Sequence, residues 1–145
     1  MNARLDIAVS LVRFADYGEL LLTVRREVFV VEQAVPEELE VDGLDDSCTH
    51  ALAMQGDEPV GAGRTQRDGH IGRIAVRKAY RGRGIGTRIM RALIAEARRR
   101  GLASVYLGSQ AQARRFYENL GFVAYGEPFE EAGIPHIMMR LTLAW

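Results

Sequence analysis

The stretch of residues 81–87 reads Arg81-Gly82-Arg83-Gly84-Ile85-Gly86-Thr87, with three glycines in five residues. An apolar run, Ile71 to Val76, precedes it and an amphipathic run, Ile85 to Arg100, follows it, so the glycines stand where a strand gives way to a helix. Glycine lets a backbone turn tightly and approach a ligand closely. The first turn of a helix adds N–H groups without intrahelical partners and the positive end of the dipole. The pattern predicts a site for phosphate or pyrophosphate, with Arg81 and Arg83 as added positive charge.

Three specific interpretations of this loop differ in the ligand that they predict. A Walker loop requires GxxxxGK[ST], and no lysine follows these glycines. A dinucleotide fingerprint requires GxGxxG and an acid about 20 residues later, whereas the spacing here is GxGxG and Ser104 to Leu107 contain no acid. The pattern R-x-x-G-x-G, formed by Arg81, Gly84 and Gly86, resembles the acetyl-CoA loop of the GNAT N-acetyltransferases. An ordinary glycine-rich turn stays the plainer alternative.

The composition is that of a globular chain, with 145 residues of which 48% are hydrophobic and 26% charged. We expect a single domain, residues 1–145, because this length suits one core. No apolar run reaches the roughly 18 residues of a membrane span, and the first six residues lack the apolar segment of a signal peptide. The single cysteine, Cys48, cannot form an internal disulfide. These features predict a cytoplasmic location.

Net charge is zero, but acids and bases are separated along the chain. Glu27 to Gly63 contain ten acids and no lysine or arginine, whereas Arg64 to Arg115 contain fourteen basic residues and two acids. The separation is compatible with two solvated faces, or with a basic half that attracts a polyanion and an acidic half that attracts a cation. Coenzyme A is a polyanion and an amine acceptor is a cation; nucleic acid could also use the basic half.

Hydrophobic periodicity and turn residues predict the element order β-α-(α)-β-β-β-α-β-α-β-β. Two capping boxes are predicted, Asp16 with Glu19 and Ser109 with Gln112. Pro128 and Pro135 predict a loop between the last two strands. The predicted strands are residues 7–12, 49–55, 59–66, 71–76, 103–107, 122–125 and 136–143, and the predicted helices 16–29, 37–40, 85–100 and 109–119.

This order matches that of the GNAT family, and a second motif strengthens the resemblance. Residues 110–122, QAQARRFYENLGF, are similar to the family's closing motif, in which a helix carries a tyrosine and ends in Gly-Phe. Val28-Phe29-Val30-Val31-Glu32-Gln33, with acids downstream and His50, resembles the ElaA branch. The resemblance covers nearly the whole chain. It implies the α+β GNAT (acyl-CoA N-acyltransferase) fold, with a central mixed β-sheet of about six to seven strands flanked by about four helices.

The resemblance implies an N-acetyltransferase that moves the acetyl group of acetyl-CoA to a primary amine of a small molecule or peptide. Transfer is expected to be direct, in a ternary complex, with acetyl-CoA as co-substrate and no metal. Tyr117 stands at the family's acid position, where it would give a proton or hydrogen bond to the departing thiolate. Gln110 stands where many relatives have an asparagine that bonds the pantetheine arm. The other residues that the resemblance places on acetyl-CoA are Ile74, Ala75 and Val76, along the strand, and Arg81, Gly82, Arg83, Gly84, Ile85, Gly86 and Thr87, in the loop.

A base must remove a proton from the amine, and no motif identifies it. The candidates are Glu32, Glu38, His50, His70 and His136, of which we favour Glu32 as the second catalytic residue. Cys48 is disfavoured as a covalent acetyl carrier because an acidic stretch raises the pKa of a thiol. Seven acids after the first helix are expected to form a negative rim that captures cationic amines: Glu32, Glu37, Glu38, Glu40, Asp42, Asp45 and Asp46.

Other classes of function remain open at this point. The same fold could bind acyl-CoA without turnover, as a sensor or an interaction module. A module that binds phosphate or RNA is disfavoured, because the arginines are not interleaved with aromatic residues. We therefore expect acetyl-CoA and an amine as partners, neither nucleic acid nor membrane, and leave a homodimer open.

Overall fold

The structure, a computed structural model, describes residues 6–143 of the 145-residue chain. Seven strands and four α-helices lie in this part of the chain, so the α+β class predicted from the sequence is confirmed. The strands are β1 Ile7–Val12, β2 Thr49–Gln55, β3 Glu58–Thr65, β4 Ile71–Val76, β5 Ser104–Gln110, β6 Val123–Glu131 and β7 Ile134–Thr142. The helices are α1 Phe14–Arg25, α2 Glu37–Glu40, α3 Ile85–Arg99 and α4 Arg114–Asn119, and a π-helical segment, Arg26–Glu32, continues α1.

The strands form two sheets rather than one continuous sheet. The first sheet has the order β1-β2-β3-β4 and the second has the order β5-β7-β6, with antiparallel neighbours throughout. The two sheets meet at a parallel bridge between His70 and Tyr106, where Tyr106 N–H donates to the Gly69 carbonyl at 3.0 Å. Beyond this bridge, within the described residues, β4 and β5 make no further β-bridge. The chain therefore has a gap between two parallel strands.

Helices α1 and α3 cover opposite faces of the first sheet. Leu52 of β2 packs in the cluster of α1, whereas its neighbours Ala51 and Ala53 pack in the cluster of α3. Successive side chains of a strand point to opposite faces, which places the two helices on different sides. The side chains that bury the apolar face of α3 are at most 7% exposed: Ile85, Ile89, Met90, Leu93, Ile94 and Ala97. Each large side chain buried in this way contributes about 1.5–3 kcal/mol.

Glycine in β3 allows α3 to approach the sheet closely. A Cβ atom at Gly63 would lie 2.6 Å from Ile74 Cδ1 and 2.8 Å from Ile89 Cγ2. Both distances are shorter than van der Waals contact, so a larger residue would push α3 away from β3. Because α3 begins at the glycine loop, this packing also fixes where the loop lies against the end of β4.

A β-bulge interrupts the pairing of β4 with β3. The register passes from Ala62 opposite Ala75 to Arg64 opposite Gly72, so β4 has one extra residue in this interval. Arg73 takes a φ of 54° there, in the left-handed region. A bulge bends a strand and increases its twist. It thus helps β4 to turn away from β5 after the bridge at His70.

Several local predictions are wrong, and each has a structural reason. Helix α1 begins at Phe14 rather than after Asp16, and no side chain caps it. Ser109 is buried in β5 and donates to the Gln110 carbonyl at 2.8 Å, so it cannot cap α4, which begins at Arg114 after a 3₁₀ turn. Pairing within the second sheet outweighs the local capping signal at Ser109.

The last two strands are also longer than predicted, and both prolines lie inside them. Strands β6 and β7 are joined by Ala132 and Gly133, with φ values of 52° and 76°. Two successive positive φ values are typical of the tight turn of a β-hairpin. Pro128 lies in the edge strand β6 at a shift of register, and Pro135 is the second residue of β7. A strand tolerates proline at an edge or near its start.

Candidate active site

The β4–β5 gap is closed at one end and open at the other. Its closed end is the bridge between His70 and Tyr106. Its open end lies between Val76, the last residue of β4, and Gln110, the last residue of β5. Helix α3 follows the first of these strands and α4 follows the second. The two motifs singled out in the sequence therefore lie at the same end of the gap.

The glycine loop leads from β4 into the first turn of α3. Gly84 is the N-cap of α3 with a φ of 78°, and Gly82 has a φ of 79°. A Cβ atom at either glycine would meet nothing within 4 Å, so the backbone is open on this side. No side chain caps α3, and the first N–H groups of a helix have no intrahelical partner. The arrangement fits the pyrophosphate of acetyl-CoA.

The two arginines of the loop have different surroundings. Arg81 donates from Nε to the Val76 carbonyl at 2.8 Å and from both terminal nitrogens to the Glu32 carboxylate at 2.7 Å. Arg83 lies over the ring of Tyr80 at 5.7 Å and, within the described residues, has no carboxylate partner. Arg83 is thus the loop arginine whose charge is left for an anionic ligand.

The backbone of Val76 supplies a hydrogen-bond donor to the gap. Arg77 N–H donates to the Val60 carbonyl at 2.9 Å, and antiparallel pairs alternate between hydrogen-bonded and non-hydrogen-bonded. Gly61 and Val76 are therefore a non-hydrogen-bonded pair, and the polar groups of Val76 point away from β3. Ala75, the residue before Val76, pairs with Ala62 and directs its polar groups to β3. Of Ala75 and Val76, only Val76 thus directs its N–H towards the gap.

Tyr117 lies on the side of the second sheet that α3 covers. Its ring packs edge-on against Phe116 and Phe122, at centroid distances of 5.0 and 5.9 Å. Phe116 in turn lies 3.3 Å from the position of a Cβ atom at Gly86, so the tyrosine is anchored to the first turn of α3. Burial raises the pKa of Tyr117 to about 12. Its hydroxyl makes no hydrogen bond to another described residue and stays protonated at neutral pH.

Gln110 connects the end of β5 to Gln33, the residue that follows the π-helical segment, across the gap. Its Nε2 donates to Gln33 Oε1 at 2.8 Å, and its Oε1 accepts from Gln112 Nε2 at 2.6 Å. Glu32, the residue before Gln33, holds Arg81. Two successive residues therefore connect the π-helical segment to both walls of the gap. The sequence did not indicate this role for Gln33, because the contact spans 77 positions.

The five candidate bases lie in different surroundings. The hydrogen bonds and charge of Arg81 lower the pKa of Glu32, which makes it a poorer proton acceptor. His50 is 1% exposed, and its Nε2–H donates to the Asp45 carbonyl at 2.8 Å. His70 stacks on Tyr106 at the closed end of the gap. Glu38 is exposed on α2, and His136 lies opposite Gln110 in the pairing of β5 with β7.

The expectation of an unneutralised acidic rim is wrong. Of the seven acids, only Glu38 and Asp46 have no basic partner within ion-pair distance among residues 6–143. Arg25 and Arg64, which are 1% and 2% exposed, both hold Asp45, at 2.7 and 2.8 Å. The partners are distant in sequence, which is why the sequence alone did not reveal them.

A buried ion-pair cluster thus anchors the segment between α1 and β2. Arg25 also holds Glu40 at 2.8 Å, Arg64 holds Asp42, and Arg73 reaches both of these acids. Burial alone would raise the pKa of Asp42, but hydrogen bonds from Arg64 and from Leu44 N–H, with the charges of Arg64 and Arg73, lower it to about 2. These acids are therefore structural, and they are not available to capture an amine.

Cys48 lies beside this cluster. Its Sγ donates to the Leu44 carbonyl at 3.2 Å, and burial raises the pKa of the thiol. A thiol with a raised pKa is a poor nucleophile. Among residues 6–143, no group of three or more His, Cys, Asp or Glu side chains is placed to hold a metal. None of the helices in the same residues has the length and apolarity that a bilayer crossing would need.

Comparison of the sequence and the structure with known proteins identifies the family of this chain. Residues 13–143 match the model of the acetyltransferase (GNAT) domain. The uncharacterized N-acetyltransferase YjcF of Bacillus subtilis is 43% identical over 120 residues, which are 80% of this chain and 86% of that protein. Among solved structures, an acyl-CoA N-acyltransferase from Pseudomonas aeruginosa is similar with a TM-score of 0.82 and 36% identity, over 93% of this chain and 99% of that chain.

Escherichia coli ElaA gives the same TM-score, 0.82, at 33% identity over 92% of this chain and 98% of that chain. The resemblance to the ElaA branch that the first-helix segment indicated is thus confirmed. The chain belongs to the GNAT family of acetyl-CoA-dependent acyltransferases, in its ElaA-like branch.

Proposed function

We propose that this chain transfers the acetyl group of acetyl-CoA to a primary amine, on a small molecule or a peptide, by direct attack in a ternary complex. The β4–β5 gap carries this proposal, because its open end brings together an open helix N-terminus, a backbone donor and a tyrosine. Two substrates held in such a gap react as if in one molecule, which lowers the barrier by several kcal/mol, up to about 7–11 kcal/mol in model reactions.

Acetyl-CoA would bind with its pyrophosphate on the residues 81–87 loop and its pantetheine arm between β4 and β5. Gly82 and Gly84 leave the room for the phosphates, and Arg83 supplies charge. Ile74, Ala75 and Val76 would line the arm. Gln110 would bond it on the other side, exchanging its bond with Gln33 or Gln112 for one to the pantetheine amide. The N–H of Val76 would then stabilise the negative charge that develops on the thioester oxygen.

Tyr117 would assist the departure of the thiolate from the other wall of the gap. With a pKa of about 12, its phenol is a much weaker acid than an ordinary thiol of pKa ~8.5. Complete proton transfer to the thiolate would leave a phenolate in a buried site, which burial disfavours. We therefore assign Tyr117 a strong hydrogen bond to the thiolate rather than a complete transfer.

Glu32 remains a candidate for the base, but its surroundings favour a different role. Its carboxylate holds Arg81, and Arg81 binds the carbonyl at the end of β4. A group in this position orients the loop rather than meeting the amine. Cys48 is unsuited to carry an acetyl group, which favours attack by the amine on acetyl-CoA itself.

The test combines binding with turnover. Isothermal titration should show binding of acetyl-CoA, and release of free thiol should require an amine from a panel of spermidine, glucosamine, a lysine peptide and a peptide with a free N-terminal alanine. Initial rates at varied concentrations of both substrates should give intersecting double-reciprocal lines. Parallel lines would indicate a covalent acetyl-enzyme instead. Tight binding of acetyl-CoA with no thiol release from any amine would favour the sensor alternative.

A further inference from the structure

His136 is a buried imidazole whose orientation is fixed while one nitrogen is left unbonded. Its side chain is 7% exposed. Its Nδ1 lies 2.6 Å from the Ile134 carbonyl, and since a carbonyl only accepts, Nδ1 carries the hydrogen. The lone pair is therefore on Nε2. The ring also stacks on Phe129 at 5.5 Å, so both its plane and its tautomer are set.

The unbonded nitrogen is accessible from outside the protein. Among residues 6–143, the buried side-chain polar atoms without a partner are Arg64 Nε and Thr65 Oγ1. His136 Nε2 makes no hydrogen bond and is not one of them, so it retains some exposed surface. The one carboxylate of the described residues within ion-pair distance is that of Glu131, 3.8 Å from Nε2. The lone pair of Nε2 is therefore left for a hydrogen-bond donor from outside the protein.

The position of His136 suits the amine and not the thioester leaving group. It lies opposite Gln110 in the β5–β7 pairing, and opposite residues of two strands share one face of the sheet. This is the face that the π-helical segment reaches through Gln33. Ile137, the next residue of β7, belongs to the opposite face, which packs in the α3 cluster with Tyr117. Tyr117, the proposed acid, and the imidazole of His136 therefore lie on opposite sides of the second sheet.

From this geometry we propose that His136 is the general base that accepts the proton of the amine, directly or through one water. The proposal rests on the proposed function, of which it names a missing residue. The ammonium proton moves to Nε2, and the free amine forms the N–C bond as the C–S bond breaks. The nitrogen loses a second proton when the amide forms, and the thiolate gains one proton to become a thiol, so these two changes balance. Nε2 then releases its proton to solvent.

The test uses two nucleophiles and a matched pair of variants. His136→Asn keeps an N–H near the Nδ1 position for the Ile134 carbonyl and removes only the base, and His70→Asn makes the same change at the closed end. With the panel amine that reacts fastest, His136→Asn should lower kcat/KM by about 10²- to 10³-fold. With hydroxylamine, which is largely uncharged at pH 7, the loss should be below about fivefold, because no proton must be removed first.

Binding and pH dependence provide the remaining readouts. Acetyl-CoA affinity should be unchanged in His136→Asn, and thermal unfolding should still be cooperative although the ring contact with Phe129 is lost. In this variant kcat/KM should rise with pH until the amine itself is deprotonated. Equal losses with both nucleophiles, or an undiminished kcat/KM with the panel amine, would overturn the assignment of His136. Selective loss in Glu32→Gln instead would transfer the role to Glu32. If the wild type releases no thiol with any nucleophile, the proposed function itself fails and this assignment fails with it.

Discussion

The carboxylate of Glu32 accepts two hydrogen bonds, each 2.7 Å long, from the guanidinium of Arg81, 49 positions away. A planar guanidinium and a planar carboxylate fit each other in this bidentate way. Arg81 uses its remaining Nε–H on the carbonyl of Val76, so the pair fixes the loop to the end of β4. The residue that the sequence favoured as the base is thus attached to the loop that we propose as the acetyl-CoA site.

Glu32→Gln should therefore act on acetyl-CoA more than on the amine. We expect a several-fold increase in the Kd for acetyl-CoA, because the loop loses one of its two attachments. The kcat at saturating substrates should change by less than about threefold. Glu118→Gln is the matched control, since Glu118 forms an exposed pair with Arg114 on α4. A fall in kcat of a hundredfold with an unchanged Kd would restore Glu32 as the base.

Tyr117→Phe isolates the hydroxyl from the ring. The variant keeps the edge-on contacts with Phe116 and Phe122, and the lost hydroxyl has no partner among the described residues. We expect kcat to fall by roughly 10- to 1,000-fold, with the Kd for acetyl-CoA nearly intact. An equal kcat would mean that water serves the thiolate. Because the pKa of Tyr117 is about 12, no loss of activity between neutral pH and about pH 10 should be due to its ionisation.

Gly84→Val tests the loop, and Gly101→Val is its matched control. Both glycines flank α3 with φ near 80°, and a Cβ atom at either would meet nothing within 4 Å. Each valine should therefore cost about 1–3 kcal/mol of stability through backbone strain. The Gly84 variant alone should lose binding of acetyl-CoA in titration, because its side chain fills the space of the phosphates. Equal affinities in the two variants would remove the loop from the site.

Local signals predicted the parts of the site that depend on one stretch of chain. Gly121 follows α4 with a φ of 99°, as expected of the motif in which a helix ends in Gly-Phe. The loop and the tyrosine helix were predicted by their spacing and by resemblance to a family. The separation of β4 from β5 was not predicted, because the bulge at Arg73 forms only when β3 is its partner.

Electrostatics was the part that the sequence misrepresented. A segment without lysine or arginine suggested a free negative rim, yet Arg25 reaches Glu40 across 15 positions and Arg64 reaches Asp42 across 22. The charge of a segment in sequence predicts the charge of its surface only when no oppositely charged side chain from a distant segment packs against it. The orientation of His136 was likewise hidden, since it depends on the turn that joins β6 and β7.

Glu40→Gln and Glu37→Gln make the same change in one helical turn with different surroundings. Glu40 is 3% exposed and holds both Arg25 and Arg73, whereas Glu37 meets Arg26 at the surface. Loss of one partner of a buried pair leaves an uncompensated charge, so Glu40→Gln should lower the free energy of unfolding by about 3–5 kcal/mol. Glu37→Gln should change it by less than about 1 kcal/mol. Urea unfolding measures the free energy of unfolding of both variants. Equally small losses in the two variants would mean that the buried cluster does not stabilise the protein.

The pH dependence of stability should follow Asp42 and Asp45. Burial would raise the pKa of each, but hydrogen bonds from the arginines lower both, that of Asp42 from 3.8 to about 2. A group whose pKa is lowered by folding stabilises the protein above its unfolded value, and the contribution is lost as pH falls through the folded value. The free energy of unfolding should therefore decline between about pH 4 and pH 2. Asp42→Asn should be less stable than the wild type at pH 7 and show a shallower decline in acid. If both proteins lose stability with the same slope, the ionisation of Asp42 is not linked to folding.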